Sequence, residues 1–143
     1  MATRRKALWD ALKALYAADT GVGGLSETDG VNRLFEFLWQ QGTTRARQTP
    51  SVYVEISSAQ QGTLENDAEL MLVRMHLYTN QHADDEFGPQ DGISEQMGEV
   101  FNRGTLAATG GHTFCEIRMR REFNAPSTSD HIHQVQEYTV LVS

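Results

Sequence analysis

The first apolar positions of the chain recur at the spacing of an amphipathic helix between Arg4 and Ala18. The large apolar side chains share one face, with a tryptophan at its margin: Leu8, Leu12, Leu15, Tyr16 and Trp9. Charged side chains occupy the opposite face, at Lys6, Asp10 and Lys13. Glycine commonly follows a helix, so the run of Gly21, Gly23 and Gly24 predicts where this one ends.

Two segments in the middle of the chain alternate between apolar and polar positions, which is typical of β-strands. The first is Ser51–Ser57, and the second and longer is Asp67–Asn80. One face of the longer segment carries Met71, Val73, Met75 and Leu77, and the other carries Leu70, Leu72, Arg74, His76 and Tyr78. This strand is longer than a small core needs, so we expect a bulge within it or a projecting end that meets another subunit. The apolar residues of Val31–Trp39 could form a short helix or a strand buried on both faces, and we favour extended or irregular structure there.

The C-terminal half predicts one helix followed by two strands. Gly92–Asn102 has helical spacing, whereas Thr113–Phe123 and His131–Val142 alternate. In the first of these strands one face carries Cys115, Ile117, Met119 and Phe123, and the other carries Glu116, Arg118, Arg120 and Glu122. The connections between strands are too short for parallel crossovers, except around the helix. We therefore predict a single α+β domain over residues 1–143, with a mostly antiparallel sheet and two helices packed on one face.

Composition restricts the function classes. The 143 residues carry a formal net charge of −7, which opposes binding to a phosphate backbone. The single cysteine, Cys115, excludes an internal disulfide framework and is typical of a reducing cytoplasm. The basic N-terminus is followed by an amphipathic helix rather than an apolar segment, so we expect no secretory signal. No nucleophile elbow, phosphate-binding loop or dinucleotide fingerprint occurs, and we expect neither an enzyme nor a cofactor.

Histidines offer an alternative based on metal or ligand binding. His131 and His133 lie two residues apart on a predicted strand and therefore share a face, with Asp130 beside them. His76 or His112 would have to supply a third ligand, because two imidazoles do not complete a metal site. Exposed histidines at the start of a strand are the simpler interpretation, and we predict no metal. Cys115 lies on the apolar face of its strand, which predicts a small core residue.

Charged side chains are the candidate contact residues. Arg118, Arg120, Glu116 and Glu122 on one strand face are either solvated charge or a contact between subunits. Five further charged residues lie in polar loops and are candidates for contact with partner proteins: Arg45, Arg47, Asp84, Asp85 and Glu86. The acidic group among them does not have the spacing of an EF-hand calcium loop. The loops that we expect to make contacts are Gly42–Gln48, Gln60–Asn66 and Gln81–Asp91.

The order of these segments resembles the order of elements in a known protein family. A short N-terminal helix ends in Leu15–Thr20, and after a variable loop the segment Thr49–Glu55 starts a strand at Pro50. A long alternating strand, an amphipathic helix and a strand pair ending in Glu137–Val140 follow. Over most of its length the chain resembles the tail-terminator, or tail-completion, proteins of long-tailed bacteriophages.

The resemblance implies a structural virion protein that assembles in the host cytoplasm. Such proteins form a homo-oligomeric ring, here expected to be a hexamer, that caps the tail tube and meets the head–tail connector. DNA passes through the central hole without specific binding, and no membrane is involved. An exposed edge on the long strand would suit ring closure between copies. Another neck or connector component of similar size is the alternative within this class.

Overall fold

A computed structural model describes residues 3–19, 34–36, 51–60, 68–80, 88–125 and 131–143. These residues form two helices and five strands. The helices are α1 (Arg4–Ala17) and α2 (Gly88–Phe101). The strands are β1 (Leu34–Glu36), β2 (Ser51–Gln60), β3 (Glu69–Asn80), β4 (Arg118–Asn124) and β5 (His131–Val142). None of the described helices is long and apolar enough to cross a membrane.

Helix α1 forms where its amphipathic pattern predicts it. The Thr3 hydroxyl caps its start by accepting a hydrogen bond from the Lys6 amide at 3.1 Å. Leu8 and Leu12 are fully buried, which confirms the predicted apolar face, although Leu15 is only partly buried. The helix ends at Ala17, and the glycines predicted to end it lie outside the described residues.

The sheet has the strand order β1-β2-β3-β5-β4. The short β1 pairs in parallel with β2, and the other three pairings are antiparallel. Both helices cover one face, where side chains such as Leu12, Met97 and Phe101 share one hydrophobic core with the strands. We call this the helix face and the opposite one the open face. The predicted α+β class, with a mostly antiparallel sheet and both helices on one face, is confirmed.

The long strand β3 occupies the centre of the sheet. All of its residues, Glu69 to Asn80, pair with β5, and most of them also pair with β2. The register shift lies in β2 between Ser58 and Gln60, and β3 itself runs without a bulge. Two expectations for this strand are therefore wrong: it is neither interrupted nor projecting, and β2 and β5 cover its edges. Its length is accommodated because its two neighbours are nearly as long.

The segment before β4 departs from the predicted alternation. The strand begins at Arg118 rather than Thr113. Residues 113–115 still join the end of β5, through a bridge between Phe114 and Val142 and through backbone hydrogen bonds such as that from the Cys115 amide to the Leu141 carbonyl at 2.9 Å. Phe114 and Ile117 both pack on the core although they are three residues apart. An odd spacing between two inward residues breaks the two-residue period, so Cys115 is exposed. The prediction that Cys115 is a core residue is wrong for this reason.

A β-bulge then exchanges the two faces of β4. Met119 lies opposite Tyr138, but the next paired residue is Arg121, opposite Glu137, which leaves Arg120 as the extra residue. Beyond the bulge Glu122 lies on the helix face, and Phe123 lies on the open face with 36% of its surface exposed. The predicted faces of Glu122 and Phe123 are therefore wrong, because one inserted residue reverses every later side chain.

Candidate functional site on the open face

Ionisable side chains from four neighbouring strands meet on the open face of the sheet. We call this group the polar ladder: Glu55, Arg74, His76, Arg121, His133 and Glu137. Antiparallel pairing places them side by side, since Glu55 lies opposite Arg74, Arg74 opposite Glu137, and Glu137 opposite Arg121. Opposite charges thus alternate across the four strands, an arrangement that stabilises the pairing of adjacent strands.

The Glu137 carboxylate is the centre of the charged part of the ladder. It accepts hydrogen bonds from Arg121 Nε at 2.7 Å and Nη2 at 2.9 Å, and from Arg74 Nε at 2.9 Å. Only 7% of the Glu137 side chain is exposed, so these guanidinium groups replace its lost hydration. Hydrogen bonds from Arg121, and after it Arg74, hold the pKa of Glu137 below its ordinary value, although burial acts in the opposite direction.

The lowered pKa of Glu137 predicts a specific acid sensitivity. A carboxyl group whose pKa is lower in the folded state adds stability above its ordinary pKa of 4.5, and this stability disappears as the pH falls through the folded value. We expect Glu137→Gln to lose stability at pH 7 and to show a shallower decline toward pH 3 than the wild type. Urea unfolding between pH 7 and pH 3 measures both effects.

Glu116→Gln is the control for that experiment. Glu116 Oε2 lies 3.5 Å from Arg118 Nη2, but 41% of the Glu116 side chain is exposed. This ion pair therefore contributes little to the free energy of unfolding. Its pH profile should follow that of the wild type. A Glu137→Gln profile as steep as that of the wild type would contradict the role assigned to Glu137.

The other end of the ladder is a pair of histidines from β3 and β5. His76 Nδ1 lies 3.0 Å from His133 Nε2, so one ring nitrogen donates a hydrogen bond to the other. Glu55 Oε2 lies 3.3 Å from His76 Nε2, on the far side of the same ring. The His133 ring stacks on Tyr78 with centroids 4.3 Å apart and planes 18° apart. Tyr53 meets Tyr78 edge to face. Both imidazoles are thus held in place by neighbouring side chains.

The structure brings together two of the histidines considered for metal binding. His112 lies elsewhere, with Nδ1 3.0 Å from the Ser143 carbonyl oxygen. His131 pairs with Asn80 at the start of β5, while its side chain and Asp130 lie outside the described residues. Within the described ranges no group of three or more His, Cys, Asp and Glu side chains is placed to hold a metal ion.

A second polar network lies on the helix face, beneath α2. Gln136 is buried; its Nε2 donates to the Ser94 carbonyl oxygen at 2.9 Å and to Glu122 Oε2 at 2.6 Å. Its Oε1 accepts a 2.6 Å hydrogen bond from the Tyr138 hydroxyl. Burial, and the nearby charge of Glu122, raise the pKa of Tyr138, so this hydroxyl remains a donor. We did not predict this network. The sequence did carry one indication of it, because the alternation of β5 places Gln136 on the same face as Tyr138.

The predicted contact residues have different surroundings. Arg118 is exposed over 71% of its side chain, and Arg120 is also exposed. Glu116 pairs with Arg118, while Glu122 belongs to the network beneath α2. Arg45, Arg47, Asp84, Asp85 and Glu86 lie outside the described residues, as do the loop Gly42–Gln48 and most of the other two predicted contact loops.

A surface cavity of about 440 Å³ lies between the start of α1 and the adjoining ends of β2 and β3. Arg4 and Arg5 contribute cationic side chains, and Ser57 and Ser58 contribute hydroxyl groups. Glu69 also lines the cavity, and its carboxylate lies 3.6 Å from Arg4 Nη1. The cavity thus combines charges of both signs with apolar side chains from Ile56 and Met71.

Comparison with known proteins identifies a fold but no family. Fourteen solved chains match this protein. One is similar over 94% of this chain and 95% of its own length, with a TM-score of 0.51 and 10% sequence identity. A similarity at that level of identity shows a shared fold alone. No protein-family model and no curated protein matches the chain.

Proposed function

We propose that this protein is a structural subunit of a bacteriophage virion, the tail terminator at the head–tail junction. The observation that carries the proposal is the order of its elements. The elements follow the order that the family resemblance implies: helix α1, strands β2 and β3, helix α2, and strands β4 and β5. A solved chain has a similar fold over nearly its full length, which supports the view that these elements form one recurrent fold.

The proposed activity is assembly, without catalysis. Identical subunits close a ring, expected to be a hexamer, whose one side meets the last ring of the tail tube and whose other side meets the connector. The net charge of −7 supports a role in which DNA passes through the ring without being retained, because a negative surface repels phosphates. The protein would accordingly reside in the tail or neck of the virion.

The surroundings of β4 suggest how neighbouring copies meet. The start of its outer edge is already occupied, since the Ile117 carbonyl accepts a 2.7 Å hydrogen bond from the Arg103 amide. Two residues later the Met119 amide donates to Asn102 Oδ1 at 2.9 Å. The bulge that follows further hinders the addition of another strand. We therefore propose that Arg118 and Arg120 contact an acidic region of the next subunit through their side chains, not through strand pairing.

Native mass spectrometry and electron microscopy of the wild type and of Arg118→Glu/Arg120→Glu test this proposal. We expect rings from the wild type and at least tenfold weaker self-association from the double variant, since it places like charges together. Lys13→Glu is the control, because Lys13 is an exposed cation on α1. Its rings should persist.

Two outcomes would contradict the proposal. A wild-type chain that stays monomeric, both alone and with purified tail tubes, would contradict ring formation. Rings that bind a connector but no tail tube would contradict the terminator position and favour another neck component. Intact rings in the arginine double variant would contradict only the assigned contact.

A further inference from the structure

We propose that His76 and His133 bind one divalent ion of a late first-row transition metal, such as Ni²⁺ or Cu²⁺, on the open face of the sheet. The inference is independent of ring assembly. It rests on the spacing of the two ring nitrogens, on the carboxylate behind His76 and on the chemistry of imidazole ligands. The described residues supply two protein ligands and water completes the coordination shell, so this is an open, weakly binding site and not the three-ligand site considered from the sequence.

The spacing of the two nitrogens matches that of adjacent ligands on one ion. Metal–nitrogen bonds to histidine are about 2.0–2.1 Å long. Two nitrogens bound to one ion at this bond length are about 2.8 Å apart when the nitrogen–metal–nitrogen angle is about 90°. They are about 3.4 Å apart when that angle is tetrahedral. His76 Nδ1 and His133 Nε2 are 3.0 Å apart, within this interval. The strands β3 and β5 need not move for both nitrogens to reach one ion.

The ion would replace the proton that the two rings share. The ring centroids are 5.2 Å apart and the planes are tilted by 31°, an orientation that suits a nitrogen–nitrogen hydrogen bond. An ion about 2.0–2.1 Å from both nitrogens lies off the line that joins them, so each lone pair must turn by roughly 40° from the hydrogen-bond direction to reach it. His133 Nε2 must be unprotonated to bind, so its proton moves to Nδ1 of the same ring, which stays neutral. A proton that converts either ring to an imidazolium competes with the ion, so affinity should decrease as the pH falls.

Glu55 prepares His76 for this role. Its carboxylate lies 3.3 Å from His76 Nε2 and accepts the proton of that nitrogen, which leaves the Nδ1 lone pair directed toward His133. A carboxylate behind a histidine ligand orients the ring and raises its basicity in many metal sites. Stacking on Tyr78 orients the His133 ring. Glu55 is a positioning residue in this site, not a ligand.

The ligand set also selects the metal. Imidazole nitrogens favour late transition metals, whereas Mg²⁺ and Ca²⁺ require oxygen ligands. Arg74 Nη1 lies 3.8 Å from Glu55 Oε1 and offsets the negative charge of this carboxylate. This further disfavours hard cations, which bind carboxylates. Among divalent ions of the first row, affinity for such sites rises through Ni²⁺ to Cu²⁺.

Calorimetric titration of the untagged protein with NiCl₂, in buffer free of imidazole, tests the proposal. We expect one Ni²⁺ per chain and at least tenfold weaker binding in both His76→Gln and His133→Gln. Glu55→Gln should weaken binding about tenfold, as removal of an orienting carboxylate does in other metal sites. His112→Gln should bind as the wild type, because His112 lies beside the Ser143 carbonyl, away from the pair.

Paramagnetic broadening in the wild type gives a second test that needs no variant. Ni²⁺ should broaden amide signals around His76 and His133 before those around His112, and lowering the pH should reverse the effect. Unchanged affinity in either histidine variant would overturn the proposal. So would first broadening at another site, or an absence of binding while the wild type remains folded.

Discussion

Phe101→Ala is expected to lower the free energy of unfolding by about 4 kcal/mol, within the range for large-to-small changes in a core. Phe101 is fully buried at the C-terminal end of α2, and its ring meets that of Tyr138 at a centroid distance of 6.3 Å. Removing the ring leaves a cavity between α2 and the helix face of the sheet. Chemical denaturation monitored by circular dichroism measures the loss.

Phe123→Ala is the matched control for this experiment. Phe123 is the same residue type, but it lies on the open face beneath the Arg121 guanidinium and is 36% exposed. We expect it to lose less than about 1 kcal/mol, as partly exposed positions usually do. Equal losses in the two variants would contradict the assignment of the core to the helix face.

Gln136→Leu is expected to lower the free energy of unfolding by about 2 kcal/mol, although leucine is more apolar. The change removes the acceptor of the Tyr138 hydroxyl and the amide that donates to the Ser94 carbonyl and to Glu122. The Tyr138 hydroxyl would then be buried without a partner, which is more unfavourable than the loss of the hydrogen bond itself. Denaturation of the purified variant measures this effect.

A double-mutant cycle separates this explanation from a packing defect. Tyr138→Phe removes the hydroxyl that Gln136→Leu leaves unsatisfied. We therefore expect Gln136→Leu/Tyr138→Phe to be at least about 0.5 kcal/mol more stable than the sum of the two single changes indicates. Strict additivity would show that Gln136 and Tyr138 do not interact in solution.

Local periodicity predicts most of the fold because it reflects which side chains must leave water. The predicted faces of α1 and β3 are confirmed, since each element presents one apolar set to the shared core. The fold class follows from the order of such elements. The bulge at Arg120 could not be predicted in this way, because it leaves the composition of β4 unchanged and alters only the register with β5.

The polar sites are predictable only in part, because they depend on register between distant strands. The pattern places His76 and His133 on strands, and period two gives each one a face. Their contact at 3.0 Å depends on the pairing of His76 with Val135 and of Tyr78 with His133. Similarly, Glu137 needs Arg74, which lies 63 positions earlier in the chain. No local signal specifies such a pairing.

The central place of β3 also determines how the chain can fold. Its second neighbour is β5, which follows β4 in the chain yet lies between β3 and β4 in the sheet. Until β5 has left the ribosome and inserted, β3 exposes one hydrogen-bonding edge and β4 has no partner strand in the described sheet. Pairings between such distant segments slow folding, and unpaired edges favour aggregation. Nascent chains on polysomes are therefore expected to depend on chaperones until β5 has paired with β3 and β4.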